Sequence, residues 1–79
     1  MEFKERIVCQ PAILGGKPTI KGTRIPVELV LKLLAQGATY DGILEDYPDL
    51  KLEDILAAIA YARDTVVAEE VGHLHAVGV

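Results

Sequence analysis

The chain has 79 residues, 51% of them hydrophobic but with only one Phe, three Tyr and no Trp. That describes one small domain with an aliphatic core, of a size that buries only about 60% of the surface its unfolded form exposes, so a homodimer is expected. A single cysteine, Cys9, excludes an internal disulfide and a cysteine-cluster metal site, and no apolar run approaches the roughly 18 residues of a membrane span, which points to a cytoplasmic protein without membrane contact.

The net charge of −4 is unevenly placed. Lys4, Arg6, Lys17, Lys21, Arg24 and Lys32 outnumber Glu2, Glu5 and Glu28 in the first 32 residues, whereas only Lys51 and Arg63 offset the many acids that follow. A phosphate-facing surface therefore belongs to the first part of the chain. In chain order, Arg6–Cys9 is a short β-prone run closed by Gln10-Pro11, and it reads as an edge strand open to a second molecule. Gly15, Gly16, Pro18, Gly22 and Pro26 exclude a helix between Leu14 and Pro26. Thr19-Ile20 and Thr23-Arg24-Ile25 around Lys21-Gly22 predict a tight hairpin.

Pro26 suits a first helical position, and Val27, Val30, Leu31 and Leu34 repeat at helical spacing before Gly37, which suits a left-handed cap. Thr39 predicts the cap of a shorter helix carrying Tyr40, Ile43, Leu44 and Tyr47, stopped by Pro48. A third helix is predicted from near Leu52, with Leu52, Ile55, Leu56, Ile59, Ala62 and Val66 on one face, and Gly72 as its end. The fold class is thus mainly α: a three-helix, helix-turn-helix bundle over 26–68, led by a β segment or hairpin over 1–25 and followed by a C-terminal arm over 69–79. Helix-turn-helix spacing alone is shared by many three-helix bundles.

The run Gly15-Gly16-Lys17-Pro18-Thr19-Ile20-Lys21-Gly22-Thr23-Arg24-Ile25-Pro26-Val27 is more specific. With Gly37, Ile43-Leu44-Glu45-Asp46-Tyr47-Pro48 and Glu53-Asp54-Ile55, it resembles the family called domain of unknown function four-three-three, over roughly Arg6 to Ala62. The resemblance implies a homeodomain-like helix-turn-helix protein of the VapB-like antitoxin kind, with a PIN-like ribonuclease toxin as partner and its own operator DNA as a further ligand. One departure stands at Lys51, where the family usually carries a capping Thr or Ser. Loss of that cap is worth on the order of 1 kcal/mol and leaves the start of the third helix less well fixed.

Several residues invite a chemical reading. Gly16-Lys17-Pro18-Thr19 is no phosphate-binding loop, because Pro18 separates Lys17 from Thr19 and removes a backbone donor. Lys17, Lys21 and Arg24 form the basic cluster and are the candidate nucleic-acid contacts; the competing reading is a solubilising edge with Arg24 in an internal ion pair to Glu28 or an acid of the second helix. Glu53 and Asp54 at the head of the third helix suit its dipole but repel phosphate, so that end reads as solvated or protein-facing. Glu45, Asp46, Asp49, Glu53 and Asp54 crowd a turn without a nucleophile or histidine, so no catalytic role, metal or cofactor is assigned to them, and the chain is read as no enzyme.

His73 and His75 alternate as in a strand and make at most an incomplete zinc site. Cys9 is expected to be packed rather than reactive. The arm bearing Val71, Leu74 and Val77 is the candidate partner-binding segment; its alternative is a fraying helix end. The functional expectation is an antitoxin-like module that neutralises a toxin by occlusion. A DNA-binding regulator without a toxin, or an orphan structural dimer, is the alternative.

Overall fold

A computed structural model describes the backbone of residues 3–77 and the side chains of residues 5–69. A 3₁₀ turn, Phe3–Arg6, leads into strand β1 (Ile7–Val8). After a loop with a second 3₁₀ turn, Leu14–Gly16, comes strand β2 (Thr19–Ile20), then three helices: α1 (Val27–Ala35), α2 (Tyr40–Asp46) and α3 (Leu52–Val77). The mainly α bundle with a short β segment is therefore present, α2 and α3 forming the helix-turn-helix pair.

The β segment is built differently from the expected hairpin. β1 and β2 pair antiparallel, Ile7 with Ile20 and Val8 with Thr19, and the Lys21 N–H donates to the Arg6 carbonyl at 2.8 Å. The expected tight turn exists, closed by the Thr23 N–H on the Ile20 carbonyl at 3.0 Å with Gly22 at φ +81°, a left-handed position that suits glycine. Its return leg forms no second strand: Ile20 N–H donates to the Ile25 carbonyl and Val27 N–H to the Pro18 carbonyl, each at 2.9 Å, beside a single bridge between Thr19 and Pro26. β2 thus lies between β1 and the approach to α1, which buries Thr19 and Ile20 completely. β1 pairs on one side with β2 and stands at the edge of the two-stranded sheet, as the reading of Arg6–Cys9 as an edge strand requires. Cys9 follows the end of this two-residue strand and is exposed, not packed.

The helix punctuation acts as its chemistry requires. Pro26 occupies the position before α1, one residue earlier than expected, in extended backbone at φ −72° and ψ 149°. At the other end, Gly37 at φ +92° lets its own N–H reach the Leu34 carbonyl and the Ala38 N–H reach the Leu33 carbonyl, each at 3.0 Å. That pair of bonds is the Schellman termination, which satisfies carbonyls left over by the last turn. The Thr39 hydroxyl then accepts from the Gly42 N–H at 3.0 Å and caps α2.

Ile20, Val27, Val30, Ile43, Leu50, Ile55 and Ala58 form the core, with Ile7, Ile25, Leu31, Leu34, Leu44 and Tyr61 packed against it. The face of α3 that joins this core is not the expected one. Ile55 is buried as expected, but its companions are Asp54, Ala57 and Ala58, while Leu52, Ile59 and Val66 are exposed. Small side chains at Ala57 and Ala58 let α3 approach its neighbours closely, and the close approach turns the larger aliphatic residues outward. Gly72 does not end the helix, which runs through Val77 and so absorbs most of the expected arm; a helical glycine costs only about 1 kcal/mol. His73 and His75 accordingly stand on helix and not on a strand.

Candidate functional site

The head of α3 is held by a carboxylate in place of a hydroxyl. With Lys51 before the first helical residue, Asp54 occupies the third position, and its Oδ2 accepts from the Lys51 N–H at 2.9 Å. This is half of a capping box, supplied from inside the helix. It corrects the expectation that the Lys51 departure leaves this end loosely fixed. The other oxygen, Oδ1, accepts from Arg6 Nη1 at 2.9 Å. Asp54 is 10% exposed and Arg6 34% exposed at the side chain, so the pair is largely withdrawn from water on the carboxylate side. Asp54 is therefore a structural joint between the N-terminal 3₁₀ turn and α3, and not a solvated acid at a reading head.

The expected basic cluster is divided. Lys17 Nζ sits 2.7 Å from Glu28 Oε1 on the surface, at one end of the β2 strand. Lys21 lies at the other end, four residues and about 13 Å away along an extended chain. Lys21 and Arg24 are both exposed, and neither takes part in an ion pair among the described residues. The internal ion pair expected of Arg24 belongs instead to Arg6, and the Glu28 partner belongs to Lys17. Nothing local in the sequence joins Arg6 to an acid 48 residues away; the one signal for Asp54 was the missing hydroxyl at Lys51. Among the described residues no group of three or more His, Cys, Asp or Glu side chains is placed to hold a metal ion, and no helix is long and apolar enough to cross a membrane.

Among the described residues, a groove of about 350 Å³ lies between the start of α1 and the middle of α3. Its floor is apolar, from Pro18, Val27, Leu31, Ala62 and Val66, with Tyr61 packed alongside. Lys17, Glu28, Thr65 and Glu69 supply its polar rim. From Arg63 to Glu69 every residue of α3 is exposed, so the helix stands clear of the bundle on this side. An apolar floor with a charged rim is the pattern of a surface that packs against another molecule. Sequence reasoning did not find it, because its two walls are about 35 residues apart in the chain. Val71, Leu74 and Val77, the expected partner-binding residues, continue the same helix, and their side chains lie outside the described residues.

Residues 7–62 match the family described as protein of unknown function (DUF433). "Uncharacterized protein y4eO" of Sinorhizobium fredii (strain NBRC 101917 / NGR234) is 41% identical over 60 residues, which are 76% of this chain and 27% of that protein. The chain thus spans about a quarter of the length of the curated relative it matches. A crystal structure of a DUF433 member protein from Anabaena variabilis ATCC 29413 is similar with a TM-score of 0.72 and 33% identity, covering 85% of this chain and 68% of the other.

Proposed function

The chain belongs to the family of unknown function DUF433, and from that premise we propose that it is an antitoxin-like binding module, which neutralises a PIN-like ribonuclease by covering it and not by a reaction of its own. The observation that carries this reading is the groove between α1 and α3, whose apolar floor and charged rim lie open beside the free-standing part of α3. Such a surface takes up a helix or strap of a partner through its floor, while Lys17, Glu28 and Glu69 set the register. Val71, Leu74 and Val77, on the continuation of α3, are proposed as further contacts. The resemblance supports this class of partner, and the groove supports a contact on this side of α3.

The experiment is coexpression with a PIN-like ribonuclease encoded beside the chain, followed by a cleavage assay of the purified pair. A stable complex with suppressed cleavage supports the proposal. Full cleavage with the chain in excess overturns it.

A second reading, binding of operator DNA, has its own observation in the exposure of Lys21 and Arg24 at the β2 turn. Phosphate contacts there give binding that weakens steeply with salt, by about 0.9 in the logarithmic slope for each phosphate neutralised. Charge reversal at both residues removes such binding. A complex insensitive to salt speaks against this reading.

A further inference from the structure

The carboxylate of Asp54 gathers cations that the sequence scatters. Its Oδ1 accepts from Arg6 Nη1 and its Oδ2 from the Lys51 N–H, each at 2.9 Å. The Arg6 carbonyl in turn accepts from the Lys21 N–H at 2.8 Å, one step beyond the pair of Ile7 with Ile20, so Arg6 and Lys21 stand opposite each other at the end of the sheet. Residues so placed across an antiparallel pair have Cβ atoms about 5 Å apart, where like charges repel. Lys51, Arg6 and Lys21 are therefore neighbours, and Arg24 follows Lys21 around the Gly22 turn. Of the four, Arg6 has its charge answered by Asp54; Lys21, Arg24 and Lys51 are exposed and make no ion pair among the described residues. We propose that this row is a track for the phosphates of duplex DNA, reaching from the β2 turn to the head of α3. The inference rests on the operator-DNA reading above and deepens it, adding Arg6 and Lys51 to the contacts.

Charge and arrangement favour this ligand. The acid that would repel phosphate at the head of α3 is already engaged: Asp54 is 10% exposed, caps the helix and faces Arg6. What that end offers instead is the Lys51 side chain, exposed just outside the helix; the helix dipole is met by Asp54 and plays no part. Arg6 gives Nη1 to Asp54 and is 34% exposed, which leaves donors of its guanidinium for a phosphate oxygen. The cations are joined one to the next in the order Lys51, Arg6, Lys21, Arg24, a row and not a ring, so they match a ligand whose charges repeat along a line. An anion laid along the row also relieves the repulsion between Arg6 and Lys21. Glu5, Asp49 and Glu53 border the row, so binding is expected to be weak and confined to low salt. These contacts position the chain on the duplex and do not read its sequence.

Fluorescence anisotropy of a labelled mixed-sequence DNA duplex, titrated with the full chain at several salt concentrations, tests this, with far-UV circular dichroism as the check on folding. Lys51→Gln and Lys21→Gln change exposed side chains, and the cap at Lys51 uses its backbone N–H, so both variants keep the fold. Each should weaken binding several-fold and lower the logarithmic salt slope by about 0.9, one phosphate apiece. The double variant should lose the sum of both. Lys32→Gln, exposed on α1 and outside these contacts, should leave binding unchanged. Binding that falls with Lys21→Gln but is indifferent to Lys51→Gln overturns the inference and leaves the operator reading standing. An equal loss in Lys32→Gln overturns it as well, since that marks diffuse attraction and not a track. No binding of the unaltered chain to duplex at low salt overturns both the inference and the reading beneath it.

Discussion

Replacing Asp54 by alanine removes two bonds at once, and the structure allows the loss to be worked out. The bond from Lys51 N–H to Oδ2 caps α3, a function worth about 1 kcal/mol. The bond from Arg6 Nη1 to Oδ1 is charge-assisted, but the guanidinium is 34% exposed, so solvent screening reduces it to about 1 kcal/mol. Asp54→Ala should therefore destabilise the fold by about 2 kcal/mol, which in a domain of this size lowers Tm by about 10 °C. Asp54→Asn keeps a carbonyl acceptor for Lys51 and should lose about half as much. Arg6→Ala leaves the carboxylate 10% exposed and unpaired, and in a double-mutant cycle with Asp54→Ala it should show a coupling of about 1 kcal/mol. Urea denaturation followed by circular dichroism measures all three. A loss below about 0.5 kcal/mol in Asp54→Ala, or additive effects in the cycle, refutes the assignment of Asp54 as the joint between the N-terminal 3₁₀ turn and α3.

Gly37 at φ +92° terminates α1, so Gly37→Ala should cost about 1 kcal/mol in the same denaturation assay through a strained left-handed backbone. Thr39→Ala removes the hydroxyl that accepts from Gly42 and should cost about 1 kcal/mol, read as a lower urea midpoint at unchanged slope. Thr65→Arg sets a bulky charge on the groove rim at an exposed position; it should leave stability within about 0.5 kcal/mol and abolish suppression of the ribonuclease, measured by cleavage. Truncation after Glu70, which removes Val71, Leu74 and Val77, should weaken the ribonuclease complex in a titration and leave Tm unchanged, because the described core ends before it.

Much of the chain's organisation was legible because its punctuation is local. Pro26, Gly37, Thr39 and Pro48 act on their immediate neighbours, and the three helices begin and end beside them, apart from the far end of α3. The exposure of Lys21 and Arg24 followed from a turn that Gly22 makes on its own. What escaped was set by distant partners. Periodicity along α3 marks an apolar face, but it cannot say whether that face or the alanine face meets the bundle. The choice depends on how closely the helix packs, and Ala57 and Ala58 decide it in favour of the smaller side chains. The pairing of β1 with β2 crosses a ten-residue connection, and the bond between Arg6 and Asp54 crosses 48 residues. Arg24, chosen for its place between Thr23 and Ile25, therefore lost the ion pair to a residue chosen for nothing. The groove was hidden for the same reason, since its floor is contributed by Pro18 and Val27 on one side and Ala62 and Val66 on the other.

The claim that this surface works by covering a partner is tested most directly by titrating the chain into a PIN-like ribonuclease encoded beside it and following cleavage of an RNA substrate. The account predicts that cleavage falls in proportion to added chain and ends at a fixed stoichiometric point, and that Thr65→Arg leaves cleavage untouched at the same concentrations. Undiminished cleavage at a tenfold excess of the chain, or equal suppression by Thr65→Arg, contradicts it.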